Sequence, residues 1–382
     1  MENRAEKPLQ TMMLMLTDSC NLRCRYCYEN NRKNRVMKAE EACALLDESL
    51  SGPNAAKSAW RIEFFGGETL LAFPAVRAIY NHVQQTYPHL EKYYAITTNG
   101  TVFDEEKKAW FRQHGADFCC TLSLDGTPAM HNLNRRTAED SPTWDMMDLS
   151  FVKEVWPGAV VKMTVSEQTL PYLAEGIRYI EDLGFYCKVS LASGIRWDAA
   201  SLTVLYGQLQ LLVDQYLEHS ESPLCSFLNL PLGNLDDADT AEEIRFCDAG
   251  LTKRCFDMAG DDYPCQGLTP VAAGSGAIRM AEWTQQLAQD NEGDCKACAW
   301  QSVCPTCYAA NRLETGCLFQ CDHMTCLMHR LCILAASYVQ FLRLEPRLDS
   351  NALSEGERKQ LRGIAKVQEI IPEIPEIAAI LG

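Results

Sequence analysis

The first 190 residues repeat one pattern: a short apolar run, then a segment with helical spacing of apolar side chains. TMMLML (11–16), WRIEFF (60–65), YYAITT (93–98), FCCTLSL (118–124), VVKMTV (160–165) and FYCKVSL (185–191) predict strands. KAEEACALLDESL (38–50), FPAVRAIYNHVQQTY (73–87), DEEKKAWFRQHG (104–115) and LPYLAEGIRYIEDLG (170–184) predict helices. Such alternation requires parallel strands joined by crossover helices. Six strands, not eight, predict an α/β fold: a partial (β/α)6 TIM-like barrel, open on one side. In barrels of this kind chemistry sits at the C-terminal strand ends. Strand one ends in TDSCNLRCRYCYEN (17–30), strand two in GGET (66–69), strand three in NGT (99–101) and strand four in SLDG (123–126). Each is small or polar, and the topology brings all four to one face.

Nineteen cysteines in 382 residues set the chain apart. Three stand at 20, 24 and 27, and eleven fall between Cys247 and Cys332. The remaining five, Cys43, Cys119, Cys120, Cys187 and Cys225, read as buried small hydrophobes. In a large chain whose first residues, MENRAEKPLQ, lack a secretory h-region, clustered thiols indicate metal binding, not disulfides, and a cytoplasmic protein. No unbroken run of about 18 apolar residues predicts a membrane span. A net charge of −16 disfavours general nucleic-acid binding.

A structural zinc site wants four ligands, and a [4Fe–4S] cluster is usually held by four cysteines. Three thiols on one short loop hold three irons and leave the fourth open to a small molecule with an amine and a carboxylate. The methionine end of S-adenosylmethionine (SAM) fits that description. CNLRCRYC (20–27) resembles the C-x3-C-x2-C signature of the radical SAM superfamily, with Tyr26 in the aromatic place that implies contact near adenine. The resemblance implies that Cys20, Cys24 and Cys27 hold a SAM-binding cluster. It also implies that Gly66, Gly67 and Glu68 meet the SAM amino group, and that Ser123 and Asp125 lie near its ribose and carboxylate. HNLNR (131–135) resembles a further family segment and makes Arg135 a candidate for the SAM carboxylate.

The later cysteines resemble the SPASM extension of these enzymes: C-x12-G-x4-C over 247–265, C-x2-C-x5-C-x2-C over 295–307, then Cys317, Cys321, Cys326 and Cys332. The last internal spacing is x2 where the family has x3. The resemblance implies an auxiliary cluster on Cys247, Cys255, Cys265 and Cys307. A second would take Cys295, Cys298, Cys304 and Cys326, with Cys321 and Cys317 as rivals for the last place. Cys332 reads as core of an apolar helix. Structural zinc is the alternative for this block. The expected divisions are a radical SAM barrel (1–195), a helical bridge and linker (196–243), the SPASM domain (244–340) and a tail (341–382).

Resemblance to SPASM proteins implies a peptide or protein substrate and three [4Fe–4S] clusters. One branch matures ribosomally made peptides, forming thioether, carbon–carbon or related cross-links. The expected partners are a precursor peptide, a separate leader-binding protein (only about ten residues precede strand one), and a reductant such as flavodoxin or ferredoxin. The other branch, the anaerobic sulfatase maturases, forms formylglycine with an aspartate base directly after the G-x4-C cysteine. Gln266 stands there in this chain, and an amide does not accept a proton as a carboxylate does. A small-molecule enzyme or a non-catalytic Fe–S carrier are further alternatives; GGET and SLDG argue against the carrier. Arg196 and Asp198 in SGIRWD read as substrate contacts, or Asp198 as a helix cap.

Overall fold

The computed structural model of the chain describes residues 7–236, 247–290, 293–348, 353–370 and 377. Of the linker expected before the cysteine-rich segment, residues 237–243 lie outside the described residues, as does most of the tail beyond 370. Strands and helices alternate as the apolar spacing predicts: β1 (Leu9–Thr17), α1 (Ala39–Leu50), β2 (Ala59–Gly66), α2 (Phe73–Thr86), β3 (Lys92–Thr98), α3 (Glu105–His114), β4 (Phe118–Ser123), α4 (Pro128–Asn134), α5 (Leu149–Val155), β5 (Val160–Val165), α6 (Leu173–Asp182), β6 (Tyr186–Leu191) and α7 (Ala199–Glu218). Then come β7 (Lys253–Phe256), β8 (Asp262–Tyr263), α8 (Pro270–Ala273), α9 (Met280–Gln289), α10 (Tyr308–Thr315), α11 (His323–Leu344) and α12 (Glu355–Ile370). The helix predicted over 170–184 opens as a 3-10 turn, Leu170–Tyr172, with Pro171 in its first turn. Asp198 accepts the Ser201 N–H at 2.8 Å, so its carboxylate is the N-cap of α7.

The chain divides into two compact units. The first comprises Met1–Leu124, Asn134–Val161 and Asp248–Ala288. The second comprises Asp125–Leu133, Lys162–Cys247 and Gln289–Gly382.

In the first unit the strands run β4-β3-β2-β1-β7-β8. β1 to β4 pair in parallel, β7 joins β1 in parallel, and β8 turns back antiparallel on β7. The last two strands went unpredicted because four and two residues are too short to carry a periodicity. Register sorts the side chains between faces. Phe256, Leu14, Phe64, Ile96 and Cys120 share one row, and all are buried. That face meets α2 and α3, where Phe64, Tyr94 and Phe118 stack against one another and Tyr80 and Trp110 close over Phe118. The next row, Cys255, Met13, Glu63, Ala95 and Cys119, points the other way. Cys255, Met13, Glu63 and Ala95 in this row are buried, while Cys119 on β4 is exposed, correcting the expectation that it is buried beside Cys120.

In the second unit α11 packs on α7 and α12. Its Gln340 amide donates to the Leu228 and Leu230 carbonyls at 2.7 and 3.1 Å. By length and composition the helix His323–Arg347 could cross a membrane, although no unbroken apolar run marks it. More than half of its apolar window is buried inside the protein. Cys332 lies in that buried stripe, as expected. α12 docks on the turn Leu232–Asp236 through Gly363, where a Cβ would stand 1.9 Å from the Leu232 carbonyl oxygen. The Lys366 ammonium donates to the Leu235 carbonyl at 2.8 Å. The described part of the tail thus packs on its own chain.

Phe64→Ala removes a fully buried ring from the centre of the aromatic stack. The expected cost is about 3–5 kcal/mol, read as a lowered midpoint in urea unfolding followed by tryptophan fluorescence. A midpoint unchanged from the parent protein contradicts this account of the core.

Candidate active site

The three-thiol loop leaves the end of β1 and returns at residue 35. Asp18, fully buried, closes it: its carboxylate accepts the backbone N–H groups of Lys33 and Arg35 and pairs with the Arg35 side chain at 3.3 Å. The Thr17 hydroxyl adds a bond to the Arg35 carbonyl at 2.8 Å. Beneath the loop lies the end of β2. Gly67 N–H donates to the Thr17 carbonyl and Glu68 N–H to the Ser19 carbonyl, both at 2.9 Å. A Cβ on Gly66 would stand 2.1 Å from the Thr17 oxygen, and one on Gly67 2.4 Å from the Ser19 oxygen. Gly66 also has φ +143°, a region side chains rarely adopt. Only glycines permit this approach.

The end of β3 locks both. The Asn99 side-chain amide donates to Asn21 at 2.9 Å, and Asn21 donates to the Thr101 hydroxyl at 2.8 Å. Glu68 is buried, yet its carboxylate is fully engaged, accepting Leu70 N–H, the Thr98 hydroxyl and Asn99 N–H at 3.1, 2.8 and 2.7 Å. Burial pushes its pKa up, against these hydrogen bonds and the Arg135 charge. The carboxylate of GGE thus ties the end of β2 to the end of β3.

A third side is built by residues 134–137. Arg23 and Arg25 donate their backbone N–H groups to the carbonyls of Arg136 and Asn134 at 2.7 and 2.9 Å, and Leu22 bridges to Thr137. The Arg135 guanidinium lies 5.5 Å over the Tyr26 ring. Cys20, Cys24 and Cys27 are half-buried, and Arg32 donates to the Cys27 sulfur at 2.8 Å. Burial raises the Cys20 and Cys27 thiols, with Arg32 opposing in both. The first unit therefore brings together Cys20, Cys24, Tyr26, Cys27, Gly66, Gly67, Glu68 and Arg135. Ser123 sits half-buried at the end of β4. In the second unit Asp125 is buried and accepts Thr164 N–H at 2.9 Å, so its carboxylate holds the start of that segment.

Of the later cysteines, Cys255 on β7 lies within electrostatic reach of Cys265 in the first unit. Cys247 and Cys307 are in reach of each other in the second. Cys295, Cys298, Cys304 and Cys326 gather in the second unit, and Cys321 joins them. Cys317 does not: its sulfur faces the Asp290 carbonyl at 3.6 Å. Among the described residues no three or more His, Cys, Asp or Glu side chains are drawn in tightly enough to hold a single metal ion. A set made up of thiols alone has the donor chemistry of an iron–sulfur cluster, and of a four-cysteine zinc site.

A family profile described as a 4Fe-4S single cluster domain matches residues 11–141. By structure the chain is similar to anSMEcpe with bound AdoMet, at TM-score 0.65 and 17% identity over 89% of this chain and 98% of that one. It is also similar to Streptococcus suis SuiB bound to precursor peptide SuiA, at TM-score 0.58 and 14% identity over 83% and 76%. The chain shares the fold of these two proteins. Among curated proteins, the chain is 29% identical over 178 residues to an uncharacterised protein of Methanocaldococcus jannaschii, covering 46% of this chain and 60% of the relative. It is 29% identical over 140 residues to the cysteine-type anaerobic sulfatase-maturating enzyme of Clostridium perfringens, covering 34% and 36%. It therefore spans less than two thirds of either relative's length.

Sequence reasoning missed Asp18, Asn21 and the bonding role of Asn99. The backbone N–H groups that engage the Asp18 carboxylate come from residues 33 and 35, fifteen and more positions later. Asn99 carried a signal, NG after a strand, whose partner lies 78 positions earlier.

Gly67→Ala must push the Ser19 backbone away and so distort the thiol loop. The expected result is a loss of about four irons per chain after anaerobic reconstitution. Gly158→Ala, with no atom within 4 Å of its added Cβ, keeps the parent iron content. Equal iron in the two variants refutes the role given to the glycine pair.

Proposed function

We propose that this protein is a radical SAM peptide maturase of the SPASM type. It cleaves SAM reductively, abstracts hydrogen from a ribosomally made peptide, and forms a thioether, carbon–carbon or related cross-link. The observation that carries the reading is the three-thiol loop, held between two strand ends and residues 134–137 by backbone contacts. When bound, the cluster and SAM together supply a 5′-deoxyadenosyl radical.

The chain's residues do the rest. Cys20, Cys24 and Cys27 hold three irons and leave one for the amine and carboxylate of SAM. The backbone at Gly66, Gly67 and Glu68 lines the amine side. Tyr26, stacked under Arg135, offers a flat surface to adenine, and Arg135 a cation to a carboxylate. Ser123 and Asp125 follow strand four toward the ribose. Cys255 with Cys265, and Cys247 with Cys307, are candidate auxiliary-cluster ligands within their own units, and Cys295, Cys298, Cys304 and Cys326 hold the core of a further cluster. A flavodoxin or ferredoxin supplies electrons, and a separate protein presents the peptide leader. Support for a peptide substrate comes from anSMEcpe, solved with AdoMet and the Cp18Cys peptide, and from SuiB, solved with SuiA.

Sulfatase maturation is the second reading, favoured by the relatives' names. Gln266 stands against it. Its amide oxygen is buried with no hydrogen-bond partner among the described residues, and an amide is no proton acceptor at neutral pH. In the same unit Glu63, buried and paired with Arg61 at 3.0 Å, shares a face of the sheet with Cys255. A base in this chain comes from such a carboxylate, not from position 266.

The test is anaerobic reconstitution, then dithionite reduction with SAM and assay for 5′-deoxyadenosine. The expected outcome is about twelve irons per chain with 5′-deoxyadenosine released, and none released by Cys24→Ala. Full iron without SAM cleavage overturns the reading in favour of an electron carrier. Formylglycine formed on a cysteine-bearing sulfatase peptide moves the assignment to the sulfatase branch.

A further inference from the structure

Five thiols gather in the second unit where a [4Fe–4S] cluster takes four. The fifth is brought there by a turn. Residues 317–322 are laid against 293–295: Cys295 N–H donates to the Phe319 carbonyl at 2.8 Å, Asp294 N–H donates to the Gln320 amide oxygen, and the Gln320 amide N–H donates back to Asp294, both at 3.1 Å. Gly293 makes the approach possible, since a Cβ there would lie 2.3 Å from the Phe319 carbonyl oxygen. The same turn is pinned to α10, where the buried Asn311 amide donates to the Leu318 carbonyl at 3.0 Å and contacts the Thr306 hydroxyl at 3.1 Å.

These ties set buried Cys321 beside Cys295 and beside Cys304, two residues before Thr306. Asp322 then caps α11 by accepting Thr325 N–H at 3.0 Å, and Cys326 rides on the first helical turn, its N–H bonded to the Asp322 carbonyl at 2.8 Å. Cys321 and Cys326 thus flank one cap from either side. Both are in electrostatic reach of Cys295 and Cys304, while Cys317 faces Asp290 instead.

We propose that Cys321 and Cys326 are interchangeable fourth ligands of the second auxiliary cluster, with Cys295, Cys298 and Cys304 fixed. The inference rests on the cluster reading above. The exchange is redox-neutral: one Fe–S bond forms to the Cys321 sulfur, one to Cys326 breaks, and the proton leaving Cys321 is taken up by Cys326. Two ligation states on one scaffold would give the site a coordination switch between a buried thiol on a turn, Cys321, and a half-buried one on the first turn of α11, Cys326.

The test uses the full chain with Cys20, Cys24 and Cys27 replaced by alanine, so that only the auxiliary sites load. In this background Cys321→Ala, Cys326→Ala and the double variant are reconstituted, reduced, and examined by EPR with and without cyanide as a probe of an open iron. Iron is counted in each. About eight irons in the background protein establish both auxiliary clusters; fewer means that the cluster reading has failed, whatever the variants do. With eight present, the expected result is parent iron and no cyanide response in either single variant. The double variant is expected to lose about four irons or to give a cyanide-shifted spectrum. A single variant that behaves like the double overturns the proposal by naming its residue the sole ligand. A double variant that behaves like the background overturns it by excluding both. Serine variants, which keep volume and a hydrogen-bonding atom, repeat the test where an alanine variant does not fold.

Discussion

Gly66 and Gly67 let the ends of β1 and β2 touch backbone to backbone, and the rest of the site follows from that contact. With no Cβ between them, Thr17 and Ser19 carbonyls reach the N–H groups of Gly67 and Glu68 directly. The loop that starts at Ser19 therefore begins from a fixed point. Asp18 fixes where it ends, because a buried carboxylate left without the N–H groups of residues 33 and 35 would be costly. A loop anchored at both ends by backbone hydrogen bonds can present three sulfurs without a helix or strand of its own. The flanking contacts, Asn21 to Asn99 and Arg23 to Arg136, then set its tilt.

The same economy explains Glu68. A carboxylate in a glycine-rich turn suggests a ligand contact when read alone. Here three donors from residues 70, 98 and 99 engage both of its oxygens. Such a group costs desolvation on burial, recovers it through those bonds, and thereby ties β2 to β3. What remains for a small molecule at this strand end is backbone, which carries no side-chain entropy and cannot rotate away.

Much of this was legible in the residues. The βα alternation gave β1 to β6 because each strand is long enough for its apolar run to stand out, and the C-x3-C-x2-C loop is local enough to be read as a unit. β7 and β8 were not legible: they are held by pairing with β1, not by any pattern of their own. Cys119 and Cys120 read alike in sequence, yet they point to opposite faces of β4, one exposed and one buried. The choice among Cys317, Cys321 and Cys326 was equally closed to spacing. It turns on Gly293 and Asn311, which lie outside the cysteine pattern and decide how close the 317–322 turn can come.

That turn also bears on how the two ends of the chain differ in kind. The three N-terminal thiols sit on one loop with no fourth sulfur among their neighbours in the sequence. The C-terminal set has five, and the Gln320–Asp294 pair helps hold the turn that carries Cys321 beside Cys295. On the proposed reading, a cluster on the first set would keep one iron open for SAM, and one on the second would have every iron covered from within. Thiol count would supply that asymmetry more securely than shape, because a missing ligand cannot be recruited.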